Sequence, residues 1–506
     1  MKIFSKLAIL RNWLVLKNVG AWKATWLFAP ITIWFSYRPL ISLGRNETMH
    51  FELSVVLIYI LILALMGLSK IWHGRHKLVK NKAAWLTNTF VIWNLISLLW
   101  TENLTRGILT CGIVGILWLI FLATIVEKEK MRKILPALVK IFIASAVVMC
   151  VLAWVQMIGG IWLSQSETLL CNGCVAAQFG FVRPNVFTIE PQFFGNILLV
   201  PILILLWQSL EKKANWRMNL VFIFLVSTLF LTLSRGAIFA FGLGAVVLLI
   251  LQVKFWRQVL FGVGLIVSGF ILALVCQGVT AVINPNFSET FSGAVNKSLN
   301  HLSMGIIDLR GSEGEDLSQA QNIKTDVNDK KYFNEEIEIS KQAQEDKQNN
   351  EKIAETEKII EINSSETKNE PQLDGYVEES TNVRLKMSEV ALKAWAKNPQ
   401  TIAFGVGVGG AGSAMNEVSD GEIGSREIVQ NEFIEILLEN GLVGGVIFLG
   451  MIFGLFYATR REKFCWAIIA AFLVQWNFFS GYPNALHIYL IFIVMFAYFN
   501  YKNRKE

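Results

Sequence analysis

Histidine is scarce in this chain: five residues in 506, scattered from His50 to His487. Ligands so few and so dispersed give no metal cluster, which needs several of them at close spacing. Cysteine is hardly commoner, at six. Cys111, Cys150, Cys276 and Cys465 fall inside apolar runs and read as small packing residues. Cys171 and Cys174, in "CNGC", suit a disulfide around an Asn-Gly turn in an oxidising compartment. Charged residues are only 17% of the chain, and no internal repeat of the kind common in transporters is visible. The basic, amphipathic start "MKIFSKLAILRNWLVLKNVGAWK" lacks the small-residue cleavage site of a signal peptide and reads as an interfacial helix.

What the chain has is apolar length. Hydrophobic residues make up 54% of it, and runs of about 20 recur, enough to cross a bilayer as a helix. The expected fold is an all-α polytopic integral membrane protein. Twelve spans are expected near 24–43, 53–71, 84–100, 108–126, 141–163, 192–209, 219–233, 236–252, 258–283, 441–459, 464–479 and 486–501. Residues 1–283 then form an N-terminal membrane region of about nine spans. Residues 284–429 form one large extracytoplasmic loop, and 430–506 a C-terminal membrane region of about three spans.

Lysine and arginine mark the cytoplasmic side of short loops. "KIWHGRHKLVKNK", "EKEKMRK", "EKKANWR", "VKFWRQ", "TRREK" and the terminal "YKNRKE" all land on one side, together with the N-terminus. Both termini are therefore expected in the cytoplasm, in a multi-pass protein of the cytoplasmic membrane.

The long outward loop has two parts. Residues 308–380 hold 20 Asp+Glu against nine Lys+Arg, a local net of −11 that leaves +18 on the rest of a chain of net +7. Such a polar, acidic stretch buries too little apolar surface to fold alone and is expected to be a disordered insertion, a solvated spacer or a charged tether. Beyond it, 383–397 is expected to be an amphipathic helix on the outer membrane face. Its apolar stripe runs through Leu385, Val390, Ala391, Ala394 and Trp395, and Arg384 lies in its first turn.

The basic residues in the short outward loops and span ends are Arg38, Arg45, Arg106, Arg183 and Arg235, with no lysine. A charged side chain near a bilayer costs roughly 2.5–3.5 kcal/mol at a helix centre, so an all-arginine set placed against the charge rule asks for a reason. Arginine is the forked donor that grips phosphate at two points. Snorkelling to the headgroups is the alternative and suits Arg38, Arg45 and Arg106. "GVGVGG" at Gly405–Gly410 matches G-x-G-x-x-G, yet no strand precedes it. It reads as a flexible loop whose amides can approach a ligand or the bilayer. Glu432, Glu435 and Glu439 share one helical face and read as a solvated stripe rather than a site.

Four outward stretches carry a family resemblance: "FGFVRPNVFTIEPQFFGN", "TLSRGA", "VRLKMSEVALKAWAKNPQTIAFGVGVGG" and "QNEFIEILLENGLVGG". The chain resembles the O-antigen ligase and polymerase superfamily of membrane glycosyltransferases. The family's Ser-Arg-Gly appears as Ser234-Arg235-Gly236. Its helix-opening arginine, Asn/His-Pro and Gly-x-Gly loop appear as Arg384, Asn398-Pro399 and Gly405-Val406-Gly407. Its His-Asn, nine residues, then Gly-x-x-Gly matches Asn431, Gly441 and Gly444, with Gln430 in the place of histidine. Arg183, Glu190 and Pro191 are similar to the polymerase-like members.

The resemblance implies a GT-C-like arrangement of about twelve transmembrane helices. It also implies a glycan donor linked to undecaprenyl diphosphate, a glycan acceptor, the lipid bilayer and a chain-length regulator as partners, with no nucleic acid and no cofactor. Arg183, Arg235 and Arg384 are then the candidates to hold the diphosphate. Glu190 is the candidate base, or else a carboxylate favoured by a helix N-terminus. Gln430 and Asn431 complete the catalytic set; Ser234, Gly405 and Gly407 are candidate substrate contacts. Three functions stay open: a polymerase of lipid-linked oligosaccharides, favoured by the missing histidine; a ligase whose base lies elsewhere; and a glycan transporter.

Overall fold

A computed structural model describes residues 18–35, 40–46, 49–79, 81–160, 167–168, 171–172, 177–178, 181–188, 190–211, 213–252, 256–283, 290–303, 378–425, 427–460, 462–480 and 488–495. The chain forms two compact units, Met1–Ser298 with Ser380–Glu506, and Leu299–Glu379. Of the second unit, the described residues include only the ends of two helices. The acidic insertion expected over 308–380 and the CNGC disulfide lie largely outside the described residues, as does the interfacial helix expected at the N-terminus.

The described residues are nearly all helical. α1 is Asn18–Thr32, followed by a 3-10 turn at Ile33–Phe35. Then come α2 (Val55–Val79), α3 (Lys82–Ser97), α4 (Leu104–Val126), α5 (Lys128–Gly159), α6 (Pro191–Leu210), α7 (Trp216–Leu231), α8 (Arg235–Leu251) and α9 (Trp256–Ile283). α10 (Phe291–Leu302), α11 (Glu378–Trp395), α12 (Pro399–Phe404) and α13 (Ala411–Val418) follow. α14 (Glu432–Thr459) and α15 (Lys463–Gln475) come last, and residues 488–495 are also helical. Among these, α2, α4, α5, α6, α9 and α14 are long and apolar enough to cross a membrane; α7, α8 and α15 are shorter apolar helices.

One expected span is corrected. Instead of one helix over 24–43, α1 stops at Thr32, and strand β1 (Leu40–Asn46) pairs antiparallel with β2 (Met49–Ser54). Pro39 offers no N–H and disfavours helix in the residue before it, which suits a break there. Two further two-stranded pairs, Glu167–Thr168 with Cys171–Asn172 and Ala177–Gln178 with Phe181–Val182, qualify the all-α expectation.

The centre of the bundle is α6, whose side chains are buried on almost every face. That is the behaviour of a helix apolar all round. α8 and α15 pack against each other and against α6 through small residues: Ala237, Ala240, Gly244 and Ala245 on α8, Ala467 and Ala471 on α15. Lipid tails give no hydrophobic drive between helices, so close backbone approach supplies the packing instead. At Gly244 an added Cβ would lie 2.9 Å from Leu203 and 3.1 Å from the Ala467 carbonyl.

The outer segment has its own small core. Val390, Ala391 and Ala394 of α11 pack with Val406, Ala411, Met415, Ile423, Val429 and Leu438. The apolar stripe expected to lie on the bilayer is thus largely spent on protein, while Leu385 stays exposed. Exposed pairs, Lys386–Glu422 at 2.9 Å and Lys397–Glu417 at 2.6 Å, link α11 and its C-terminal end to the α13 region.

Candidate active site

Three helices open at one end of the bundle: α6 at Glu190-Pro191, α8 at Ser234-Arg235 and α14 at Asn431. Helix N-termini carry partial positive charge and unmet amide donors, so anions favour them. Neither the Glu190 nor the Ser234 side chain caps its own helix. Asn431 does cap, accepting from the amides of Phe433 (3.1 Å) and Ile434 (3.2 Å).

Arg384 from α11 reaches into this end. It donates Nε–H to Oε1 of Gln430 at 3.1 Å and an Nη2 hydrogen to Oε1 of Gln192 at 3.0 Å. Gln192 in turn donates to the Phe478 carbonyl at 3.1 Å. Burial draws the Arg384 guanidinium below its ordinary pKa; nearby Glu190 opposes this, and nearby Arg235 adds to it. Guanidinium nevertheless stays charged. Two cations and one carboxylate therefore sit together where three helices begin.

Arg183 is placed differently. It donates Nε–H to the Thr232 carbonyl at 2.8 Å and reaches the Leu233 carbonyl at 3.4 Å, at the end of α7. This spends donors expected for the diphosphate on main-chain oxygens that lead into Ser234-Arg235. The Arg183–Glu190 turn is braced from α5: buried Gln156 donates to Asn185 at 2.7 Å and accepts from the amides of Asn185 and Val186, both at 3.0 Å. Thr188 then donates to the Asn185 carbonyl at 2.7 Å and the Glu190 carbonyl at 2.9 Å.

Backbone strain gathers here. Val186 (φ 52°), between Arg183 and Glu190, Leu233 (φ 49°), before Ser234, and Gln430 (φ 59°) itself are non-glycine residues in the left-handed region. Such conformations cost on the order of 1–3 kcal/mol each and persist only where the surroundings over-determine them.

The glycine loop corrects an expectation. It is a pinned clasp. Val406 and Gly407 donate to the carbonyls of Leu438 (2.9 Å) and Glu439 (3.0 Å), and Gly405 to Thr401 (2.9 Å). Thr101 donates to the Val408 carbonyl at 2.9 Å, and Trp93 to the Asn440 carbonyl at 3.1 Å. The amides of Gly405 and Gly407 are spent inside the protein, because the loop closes the gap between the α3–α4 connection and a break in α14 at Gly441 (φ 64°). Asn398 caps α12 in a reciprocal capping box with Thr401.

The glutamate stripe is corrected too. Glu432, Glu435 and Glu439 are buried. Glu432 accepts from the Tyr489 hydroxyl at 2.9 Å. Glu435 lies beside Ser480 and the Val429 backbone, and Glu439 faces the amides of Gly409 and Ala411. Arg106 faces both Glu435 and Glu439 and donates to the Glu427 carbonyl at 3.3 Å, so it holds protein rather than headgroups.

Sequence reasoning missed Gln192, Gln156 and the Arg106–Glu435–Glu439 group. Gln192 had a usable signal, a polar residue opening an otherwise apolar span right after Glu190-Pro191. Glu435 and Glu439 had none, since their partners come from distant parts of the chain.

No curated protein matches this chain at a significant level. Residues 220–449, which contain Ser234-Arg235-Gly236, Arg384, the glycine clasp and Gln430-Asn431, match the family described as O-Antigen ligase. That match covers the elements that build the arginine-centred end, and over them the chain is similar to O-antigen ligases.

Proposed function

We propose that this protein polymerises oligosaccharide units linked to undecaprenyl diphosphate, on the extracytoplasmic face of the cytoplasmic membrane, to build a surface polysaccharide. The family supports glycan transfer of the ligase or polymerase type. The observation that carries the finer reading is Arg384, held between Gln430 and Gln192 beside Arg235 and Glu190.

In such a transfer an acceptor hydroxyl attacks the anomeric carbon of the donor. The bond from that carbon to the diphosphate oxygen breaks, and its electron pair leaves with the lipid diphosphate. Fixed donors aimed at that growing charge give the largest single contribution to rate. Arg384 and Arg235, with the opening turns of α6 and α8, supply them in this reading. In this reading Arg183 is a positioning residue for Ser234-Arg235, and Ser234 is a contact of the diphosphate.

The acceptor proton passes to the Glu190 carboxylate, which is exposed at the mouth of α6. Gln430 has no basic atom and takes no proton; its task is to aim Arg384, while Asn431 fixes the start of α14. Gly405 and Gly407 shape the clasp without touching substrate. A polymerase needs only growing lipid-linked chains as its two substrates, which fits a site without the ligase histidine.

The proposal extends to the whole layout. It has about twelve spans in a GT-C-like bundle, both termini in the cytoplasm, one large outward loop over 284–429, and a partner that sets chain length. Reconstitution tests it. Purified protein in lipid discs receives a short glycan on undecaprenyl diphosphate with no other acceptor, and products are resolved by size. A ladder of multiples that vanishes in Arg384→Ala supports the polymerase. Transfer only after a foreign acceptor lipid is added means a ligase working without its histidine. Substrate crossing sealed vesicles with no transfer means a transporter.

A further inference from the structure

The far end of the same bundle carries a second feature. α3, α4 and α14 each have one end among the clasp and arginine residues: Ser97, Arg106 and Asn431. Their other ends lie at Lys82, at Val126 just before Lys128, and at Arg460. α4 alone has 23 residues, roughly 35 Å of helix at 1.5 Å per residue, so these ends sit about a bilayer's thickness from the arginine site.

Between these helices lies a cavity of about 800 Å³. Phe90, Trp118, Phe121, Phe448 and Phe492 line its apolar length, and Lys82, Lys128 and Arg460 line its mouth. Among the described residues, none that lines it is a carboxylate. The mouth also receives two helix N-termini, those of α3 at Lys82 and α5 at Lys128, whose partial charge adds to the cations. A second cavity, of about 520 Å³, differs in just this respect: Glu211 and Glu462 stand beside Lys213 and Lys463, so its charges offset one another.

Long apolar walls with a purely cationic mouth complement one kind of occupant, an amphiphile with hydrocarbon tails and a single anionic head. We propose that this groove binds one anionic phospholipid of the leaflet opposite the arginine site, its phosphate between Lys82, Lys128 and Arg460 and an acyl chain along the aromatic wall. Basic pockets between helices at a membrane surface select anionic headgroups by this charge complementarity. A bound chain would fill the space between α3, α4 and α14, the helices that carry the clasp and Asn431 at their other ends.

Native mass spectrometry of the full chain tests this without reference to activity. Protein is released from micelles doped with equal amounts of dioleoyl phosphatidylglycerol and dioleoyl phosphatidylcholine. The expected result is one retained phosphatidylglycerol, favoured over phosphatidylcholine by roughly 150-fold, the factor three surface cations supply together. Lys82→Gln with Arg460→Gln should cut that preference to about fivefold, what one remaining cation supplies, with melting in phosphatidylcholine micelles unchanged. Val91→Trp, which fills the groove and leaves every charge, should lower retention of both lipids. Equal retention of the two lipids by the unaltered protein overturns the proposal, whatever the variants do. So does displacement of phosphatidylglycerol by millimolar inorganic phosphate, which would make the mouth a site for free anions.

Discussion

Arg384 and Gln430 stand 46 residues apart in the sequence and 3.1 Å apart in space, the guanidinium donating to the amide oxygen. The contact joins a helix that follows the acidic insertion to the residue before the α14 cap. Under the proposed function, it accounts for an amide at the position where the resemblance to the ligases expects histidine. Both side chains can accept from a guanidinium, but only imidazole can also take a proton. Under the proposed function, the aim of Arg384 is kept and a base is given up.

Two substitutions at Gln430 separate aiming from charge. Gln430→Ala removes one acceptor of Arg384 and should lower turnover by about 10- to 100-fold, given roughly 1.5–3 kcal/mol for a hydrogen bond to a charged group. Gln430→Glu keeps an acceptor but sets a negative charge where the diphosphate is proposed to bind. Its KM for donor should rise well above that of Gln430→Ala. Steady-state kinetics on a size-resolved product ladder measures both, and equal KM values would remove the diphosphate from this position.

Arg183 and Arg384 should fail in different ways. Arg183 holds the Thr232 and Leu233 carbonyls, so Arg183→Ala strips a buried chain reversal of its partner and should cost about 1–3 kcal/mol of stability along with activity. Arg384→Ala should abolish transfer while melting close to the unaltered protein. Thermal unfolding beside activity decides it. Equal losses of stability would mean that both arginines are scaffolding.

The clasp glycines predict a graded series. Gly407 (φ 88°) would place a Cβ 2.6 Å from Thr101 Cα, whereas Gly421, at the same φ, has open space around it. Gly421→Ala should therefore show only the backbone strain, about 1 kcal/mol. Gly407→Ala must also push α3 from α14 and should lower Tm by several times as much. If the two alanine variants melt alike, the clasp does not hold these helices.

Much of this architecture was legible in the chain. The apolar runs gave α2 to α9 to within about a turn at most of their ends; the exceptions are α2, which runs on to Val79 past its expected 71, and α5, which starts well before its expected 141. The break at Ser234 followed from one arginine between two apolar stretches. What failed did so for a physical reason. The glutamates of α14 look amphipathic because helical period reports which residues share a face and never what covers that face. Their cover is Arg106, Gly409, Ala411 and Ser480, from three other segments. The glycine loop misled likewise, since free amides and amides pinned by Leu438 and Glu439 have the same sequence.

That buried group supports the last prediction. Glu439 faces two amides at the start of α13, Glu435 lies one turn away, and Arg106 faces both carboxylates. Buried charges are costly to strand: removing one partner of a buried pair typically costs about 3–5 kcal/mol. Arg106 is itself half-buried, so Arg106→Leu, which leaves two carboxylates without that counter-charge, should destabilise by less than this, about 1–2 kcal/mol. Glu439→Gln keeps the shape and an oxygen for the Gly409 and Ala411 amides while removing a charge, so alone it should cost less. Placed in the Arg106→Leu background it should restore stability, because one of the stranded charges is gone. A double-mutant cycle read by thermal unfolding would then show a coupling of about 1 kcal/mol or more. Strict additivity would mean that Arg106 acts through its bond to the Glu427 carbonyl alone, and that the carboxylates are held by their own hydrogen bonds.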